Sequence, residues 1–266
     1  MAPHPTAPIL LFDSGVGGLT VLAALRKVLP LAPVIYAADS AGLPYGSKSE
    51  AEVAARVAGL LGVLTERYRP RLATIACNTA STIALGMVRE VLHIPIVGTV
   101  PAIKPAAALT RTGTIGLLGT EATIRQNYVD RLEAQFAQGR RLVRYAAPAL
   151  VAAAEAKLHG GTVDPAAVAG AVAGLRASAG DDEIDAVVLA CTHFPLLAPE
   201  LSSALGPKVA LIDGAEGIAR RIADLTAGQA FERQSPDLAV FTGPVDRSAA
   251  FVQALRRFGL ERMETV

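Results

Sequence analysis

The sequence contains few of the residues that mark secreted or nucleic-acid-binding proteins. Only two of its 266 residues are cysteines, too few for a disulfide framework. Tryptophan is absent, aromatic residues make up 5%, and the net charge is +1 with the basic residues scattered along the chain. A base-stacking platform and a basic face for nucleic acid are therefore not expected. We predict a protein with no nucleic-acid partner and with both thiols reduced.

Long apolar runs are also missing. No stretch approaches the ~18 apolar residues that a membrane span needs. The opening segment, MAPHPTAP, has neither the basic region nor the cleavage site of a signal peptide. We therefore expect a cytoplasmic protein that does not contact a membrane. Hydrophobic residues nevertheless make up 52% of the chain, enough for one large core or two smaller ones.

Short apolar runs alternate with longer amphipathic stretches along most of the chain. The strand-like runs include Val34 to Ala38, Leu72 to Ala76, Ile94 to Val97, Thr114 to Leu118, Ala186 to Ala190 and Val209 to Ile212. The helix-like stretches include Ser49 to Arg67, Ser81 to Leu92, Thr123 to Gln138 and Ala166 to Ala179. Such alternation predicts an α/β fold with mainly parallel sheets. Asp164-Pro165 is a favourable helix start.

Three segments recur in the same order at similar spacing, which suggests an internal duplication. TIACNTAST around Cys77 resembles VLACTHFPL around Cys191, and ILLFDSGVGGLTVL resembles IGLLGTEATIRQNY. IPIVGTV likewise resembles VALIDGA. We predict two similar α/β domains, one formed by residues 1–100 plus 214–266 and the other by residues 101–213, with the active site in the cleft between them.

A glycine cluster follows the first strand-like run, in ILLFDSGVGGLTV. It lacks the Gly-Lys-Ser/Thr of a P-loop and the third glycine of a dinucleotide fingerprint. Asp13 would also repel a phosphate. The turn suits a polar ligand whose cationic group meets Asp13 while backbone N–H groups and Ser14 face its anionic end.

Each cysteine stands after a strand-like run and before a helix-like stretch. This places the thiol at the carboxyl end of a strand, where open α/β sheets bind ligands, and beside a helix amino terminus that favours the thiolate. A single free cysteine is more often a buried hydrophobic residue. Two cysteines in matching contexts favour a functional role for Cys77 and Cys191.

Two further residues are candidates for proton transfer. His193 stands two positions after Cys191, where it can act as an acid or base with the thiol. A metal site is the weaker interpretation, because Cys-x-His offers no second ligand cluster. Glu155 lies in the apolar stretch APALVAAAEAKLHGG. It is either part of a solvated helix face or a desolvated carboxyl group suited to proton transfer.

Taken together, these segments resemble the glutamate racemases of the aspartate/glutamate racemase superfamily. The motifs that carry the resemblance are FDSGVGGLTV, PYG, ACNTAS, LLGTEATI and ACTHFPLL, and they are spread over nearly the whole chain. The chain lacks the basic residue that the family commonly has near Gly42, and it has Ala152 where a proline is usual. The IDGAEG segment is also shorter than the expected form.

The resemblance implies a role for individual residues. Cys77 and Cys191 match the two catalytic cysteines, with Cys77 acting on D-glutamate and Cys191 on L-glutamate. Asp13, Glu155 and His193 match residues that assist proton transfer, and Asp39 matches an acidic position. The matching substrate-binding residues are Asp13, Ser14, Tyr45, Gly46, Asn78, Thr79, Thr120, Thr123, Thr192 and His193.

The implied activity is a cofactor-independent and metal-independent interconversion of L- and D-glutamate that supplies peptidoglycan synthesis. The small-molecule partner is glutamate, and a homodimer is compatible with the family. Three alternatives stay open: a racemase for another acidic amino acid such as aspartate, a related decarboxylase or isomerase that needs one cysteine, and a two-lobed amino-acid-binding protein. A binding protein has no need of two thiols in matching positions.

Overall fold

A computed structural model describes residues 3–266 of the chain. The chain divides into two compact units. The first unit runs to Thr99 and resumes from Ala215 to Val266, and the second unit comprises Val100–Gly214. Within the part of the chain that is described, no helix is both long and apolar enough to cross a membrane.

The first unit contains a six-stranded parallel sheet in the order β10-β9-β2-β1-β3-β4. Its strands are β1 (Ile9–Asp13), β2 (Val34–Ala38), β3 (Leu72–Ile75), β4 (Ile96–Gly98), β9 (Asp237–Phe241) and β10 (Leu260–Thr265). The first three are buried along their whole length. This explains their nearly continuous apolar sequences, because a central parallel strand is covered on both faces.

The described residues of this unit form five α-helices. They are α1 (Leu19–Val28), α2 (Glu50–Tyr68), α3 (Asn78–Val91), α10 (Ala215–Leu225) and α11 (Ala249–Arg257). The apolar positions of α2 recur at Val53, Val57, Leu61 and Leu64, a helical spacing that places all four side chains in the core. Ser49 caps this helix by accepting a hydrogen bond from the backbone N–H of Glu52.

The second unit contains a four-stranded parallel sheet in the order β6-β5-β7-β8. Its strands are β5 (Thr114–Gly119), β6 (Arg141–Ala146), β7 (Ile184–Ala190) and β8 (Ala210–Ile212). Its helices are α4 (Ile103–Leu109), α5 (Glu121–Ile124), α6 (Asn127–Phe136), α7 (Ala149–Leu158), α8 (Pro165–Ala179) and α9 (Ala198–Leu205). Asp164 caps α8, with Pro165 at its first position, as the sequence predicts.

The two sheets share one strand order. In each, the strand that comes first along the chain lies between the second and third, and the fourth flanks the third. Cys77 follows β3 and Cys191 follows β7, so the two cysteines occupy equivalent places. The predicted fold class, two similar α/β domains with mainly parallel sheets, is confirmed. The first sheet is the larger because β9 and β10 extend it beyond β2.

Two predicted helices differ in detail. The stretch from Thr123 to Gln138 is not one helix, because α5 ends at Ile124 and α6 begins at Asn127. The helix predicted from Ser81 begins three residues earlier, at Asn78, because Cys77 itself caps it. Cysteine is not among the preferred capping residues, so no residue type in the sequence marks that start.

Candidate active site

In the first unit, the central strand and its neighbour bring Asp13, Ser14 and Cys77 to one edge of the sheet. β1 pairs with β3 in register, so the residues that follow both strands are adjacent. Ser14 donates hydrogen bonds from its backbone N–H and its hydroxyl to Asp13 Oδ1, at 2.6 and 3.2 Å. The same hydroxyl lies 3.6 Å from Cys77 Sγ. A carboxylate, a hydroxyl and a thiol therefore form one buried, connected row of polar groups.

The glycine cluster makes room for these polar groups. A Cβ atom added at Gly18 would lie 2.7 Å from Asp13 Oδ2 and 3.1 Å from both Ala76 Cβ and the Tyr36 hydroxyl. That hydroxyl donates a 2.7 Å hydrogen bond to the carbonyl of Gly15, which fixes the turn. The absence of a side chain at Gly18 thus allows α1 to begin against the carboxylate.

Cys77 lies at the amino terminus of α3. Its Sγ accepts a 3.5 Å hydrogen bond from the backbone N–H of Ala80, so the sulfur takes the place of a capping oxygen. The positive end of the helix dipole stabilises negative charge at this position. Asn78 and Thr79 occupy the first turn and are both buried. The Asn78 Oδ1 atom is buried with no hydrogen-bond partner among the described residues.

Tyr45 and Gly46 lie in a short 3-10 turn, Tyr45–Ser47, that follows β2. The Tyr45 ring belongs to the same core cluster as Cys77, and its hydroxyl donates a 2.6 Å hydrogen bond to Asp39. Burial and the bond to this carboxylate raise the pKa of Tyr45 well above its ordinary value. The phenol is therefore neutral and anchors the turn.

In the second unit, Cys191 has a different set of neighbours. It follows β7, and its Sγ lies 3.8 Å from His193 Nδ1. His193 Nε2 in turn lies 2.6 Å from Glu155 Oε1, on α7. Burial alone would lower the pKa of His193, but its bonds to Cys191 and Glu155 raise that pKa well above its ordinary value. The buried imidazole is therefore held in its protonated form, and Glu155 is not part of a freely solvated helix face.

Thr120 and Thr123 lie at the same sheet edge as Cys191, because β5 pairs with β7 from Thr114 to Gly119. Thr120 caps α5 by accepting a 3.2 Å hydrogen bond from the backbone N–H of Thr123. Their two hydroxyl oxygens are 3.0 Å apart. Thr192, between Cys191 and His193, is buried as well.

The predicted site residues therefore form two groups, one around each thiol. Both cysteines are buried thiols that are not joined in a disulfide. Besides Tyr45, two side chains hold Asp39, and sequence reasoning missed both of them: Arg56 and Thr242. No local pattern marks them, because they belong to α2 and to the segment after β9. In residues 3–266, no group of three or more His, Cys, Asp or Glu side chains is arranged to hold a metal ion.

Known proteins share this architecture. The family model described as Asp/Glu/Hydantoin racemase matches residues 20–222. Glutamate racemase from Sphingopyxis alaskensis is 62% identical over 265 residues, covering 99% of each chain. The crystal structure of Escherichia coli glutamate racemase in complex with L-glutamate and the activator UDP-MurNAc-Ala matches with a TM-score of 0.90 and 40% identity, covering 98% of each chain. That of the Francisella tularensis enzyme in complex with D-glutamate gives a TM-score of 0.76 and 25% identity, covering 99% of this chain and 98% of that one.

The duplicated α/β fold, the two thiols in equivalent places and these similarities define the class of the protein: it is an amino-acid racemase. The chain belongs to the Asp/Glu/Hydantoin racemase family.

Proposed function

We propose that this racemase interconverts L-glutamate and D-glutamate, with Cys77 and Cys191 as its two acid/base groups. The observation that carries the proposal is the equivalent placement of two buried thiols, each at the carboxyl end of the third strand of its sheet. Glutamate as substrate is supported by 62% identity over nearly the full chain to a glutamate racemase. The product D-glutamate is then available for peptidoglycan synthesis.

Racemisation removes the α-proton from one face of a tetrahedral carbon and returns a proton to the other face. A thiolate takes the first proton and a thiol supplies the second, so the two cysteines exchange roles with the direction of reaction. Following the family resemblance, Cys191 removes the proton from L-glutamate and Cys77 removes it from D-glutamate. A single base would have to serve both faces of the substrate.

The two thiols are activated by different means. Cys77 has the amino terminus of α3 and the Ser14 hydroxyl beside it. Cys191 has the protonated His193, which Glu155 holds from the other side of the ring. A positive charge or a helix dipole beside a sulfur stabilises its thiolate. We assign Asp13, His193 and Glu155 to proton transfer in this supporting sense.

Binding must stabilise the negative charge that builds up on the substrate as the α-proton leaves. The polar groups around Cys77, namely Ser14, Asn78 and Thr79, together with Thr192 beside Cys191, are our candidates for holding the α-carboxylate. Asp13 is suited to the ammonium group. Thr120 and Thr123 are suited to hydrogen bonds with the side-chain carboxylate.

A direct test is an assay of the purified protein with each glutamate enantiomer and no added cofactor, read by chiral chromatography. We expect both directions to reach an equal mixture of the enantiomers. L- and D-aspartate serve as the comparison substrates. Faster conversion of aspartate than of glutamate at equal concentration would overturn glutamate as the substrate and favour the alternative acidic amino acid.

A further inference from the structure

Arg56 is not one of the predicted site residues around either thiol. It contacts Asp39, the carboxylate that accepts the hydrogen bond of Tyr45 in the group around Cys77. Its Nε donates a 2.7 Å hydrogen bond to Asp39 Oδ2, and its Nη2 donates a 2.6 Å bond to Asp39 Oδ1. This is the bidentate geometry in which a guanidinium binds a carboxylate most strongly. Asp39 is fully buried, whereas the Arg56 side chain is 32% exposed.

Asp39 has no spare acceptor capacity in this arrangement. Its Oδ1 also accepts from the Thr242 hydroxyl, and its Oδ2 also accepts from the Tyr45 hydroxyl at 2.6 Å. Burial alone would raise the pKa of Asp39, but the bonds from Arg56, Thr242 and Tyr45 hold that pKa below its ordinary value. The carboxylate is thus a fixed, charged centre on which three separate segments of the first unit converge.

The backbone around Asp39 is shaped to admit the guanidinium. Gly42 closes a turn by donating its backbone N–H to the Asp39 carbonyl at 2.9 Å. A Cβ atom at Gly42 would lie 2.3 Å from Asp39 Oδ2 and 2.5 Å from Arg56 Nε. The ion pair therefore occupies the space that any other residue would need there.

We infer that Arg56 is a positioning residue of the racemase: through Asp39 it fixes the Tyr45–Ser47 turn beside Cys77 in the conformation that binds substrate. The side-chain hydrogen bonds of Arg56 go to Asp39, so Arg56 acts through that carboxylate. Because the Tyr45 hydroxyl is committed to Asp39, the backbone of the turn is what remains to meet the ligand. Loss of Arg56 leaves a buried carboxylate without its charge partner, and the turn loses its anchor. This inference rests on the proposed function.

The test compares Arg56→Gln with Arg26→Gln. Arg26 pairs with another buried carboxylate of the same unit, Asp237, which also lies 3.5 Å from Arg233. Asp237 accepts a hydrogen bond from the backbone N–H of Val34, the first residue of β2. This pair therefore lies at the amino ends of the parallel strands, whereas Cys77 lies at their carboxyl ends. Both variants are expected to lose thermal stability. Only Arg56→Gln should raise KM for glutamate, by about tenfold, with kcat changed less than about threefold.

Conservative variants separate positioning from a general loss of structure. Arg56→Lys keeps the charge but not the bidentate geometry, so its KM should fall between those of wild type and Arg56→Gln. Gly42→Ala should raise KM as well, because its methyl group displaces the pair. If Arg56→Gln does not fold, Thr242→Val removes one donor to Asp39 and should raise KM by a smaller factor.

Two outcomes overturn the inference alone: an unchanged KM in folded Arg56→Gln, or in Thr242→Val where Arg56→Gln does not fold, and an equal rise in KM in Arg26→Gln. If wild-type protein fails to turn over glutamate, the proposed function falls, and the inference falls with it. If wild-type protein turns over glutamate, and KM rises in the Arg56 variants but not in Arg26→Gln, the result supports both the proposed function and the inference.

Discussion

His193 joins Glu155 and Cys191 through the two nitrogens of one buried ring, with Nε2 2.6 Å from Glu155 Oε1 and Nδ1 3.8 Å from Cys191 Sγ. A histidine whose pKa is raised by folding stabilises the folded state. That stabilisation is complete below the ordinary pKa of 6.5 and is lost as the pH rises through the folded-state pKa.

The first prediction follows from this linkage. Glu155→Gln keeps the size of the side chain but removes the charge that holds the imidazolium. It should lower the free energy of unfolding by about 1–3 kcal/mol at pH 6, and by less above the folded-state pKa of His193. Urea unfolding followed by circular dichroism, at pH 6 and above that pKa, measures the difference.

Glu200→Gln is the matched control, because Glu200 accepts a 2.6 Å bond from Lys157 in the same unit. Its partner is a lysine rather than a histidine, so the cost of the control substitution should change little with pH. A pH-independent cost for Glu155→Gln would contradict the raised pKa of His193.

The second prediction concerns the thiols themselves. Cys77→Ala and Cys191→Ala should each lower racemisation by orders of magnitude in both directions, since each direction needs one group to remove a proton and another to return it. Melting temperatures close to that of wild type should show that the folds are intact. A variant that keeps more than a tenth of wild-type activity has lost under about 1.4 kcal/mol of transition-state stabilisation, too little for an essential base.

The third prediction uses two glycines with opposite surroundings. Gly18→Ala should reduce both stability and activity, because the added methyl group meets the Asp13 carboxylate at 2.7 Å. Gly86→Ala, within α3, meets nothing within 4 Å and should stabilise the protein by about 0.5–1 kcal/mol. Thermal unfolding and an activity assay on both variants check this. A neutral Gly18→Ala would show that the turn can move away from Asp13.

The sequence was informative wherever the pattern was local. The apolar strands and the residues directly after them can be read from the chain, so the positions of Asp13, Cys77 and Cys191 at sheet edges were predictable. Three strands, β6, β9 and β10, were not predicted. Two of them, β6 and β10, are edge strands, which tolerate charged residues, as in RLVRYA and LERMET, and so lack a continuous apolar run.

Contacts between distant segments could not be predicted in the same way. Arg56 lies 17 residues after Asp39 in an ordinary amphipathic helix, and Thr242 lies 203 residues after it. Only the packing of α2 and the pairing of β9 with β2 bring these donors to one carboxylate. The hydrogen bond between Glu155 and His193 depends in the same way on tertiary packing, which is why the sequence left two interpretations of Glu155 open.

The fourth prediction is that the activity needs no cofactor or metal. Each proposed proton-transfer step has a named thiol as donor or acceptor. The glycine turn follows directly after Asp13, the last residue of β1, whose carboxylate would repel a phosphate. The purified protein should show no absorbance from pyridoxal phosphate or flavin, and EDTA should not lower its activity. Loss of activity on chelation that a divalent metal restores would contradict the prediction.

The last prediction concerns the path of the proton. With L-glutamate as substrate in D₂O, the D-glutamate formed should carry solvent deuterium at the α-carbon, while the remaining L-glutamate stays largely protiated early in the reaction. Under the proposed mechanism, Cys191 takes the proton from one face and Cys77, already equilibrated with solvent as S–D, supplies deuterium to the other. A single base serving both faces would instead carry the substrate's own proton across, and it would return deuterium to the L-enantiomer whenever its proton exchanged.

Proton NMR of the α-position after chiral separation at low conversion distinguishes these cases, with the non-enzymatic sample as control. Mostly protiated D-glutamate, or early deuterium in the L-glutamate, would rule out the two-thiol mechanism even if both cysteines proved essential.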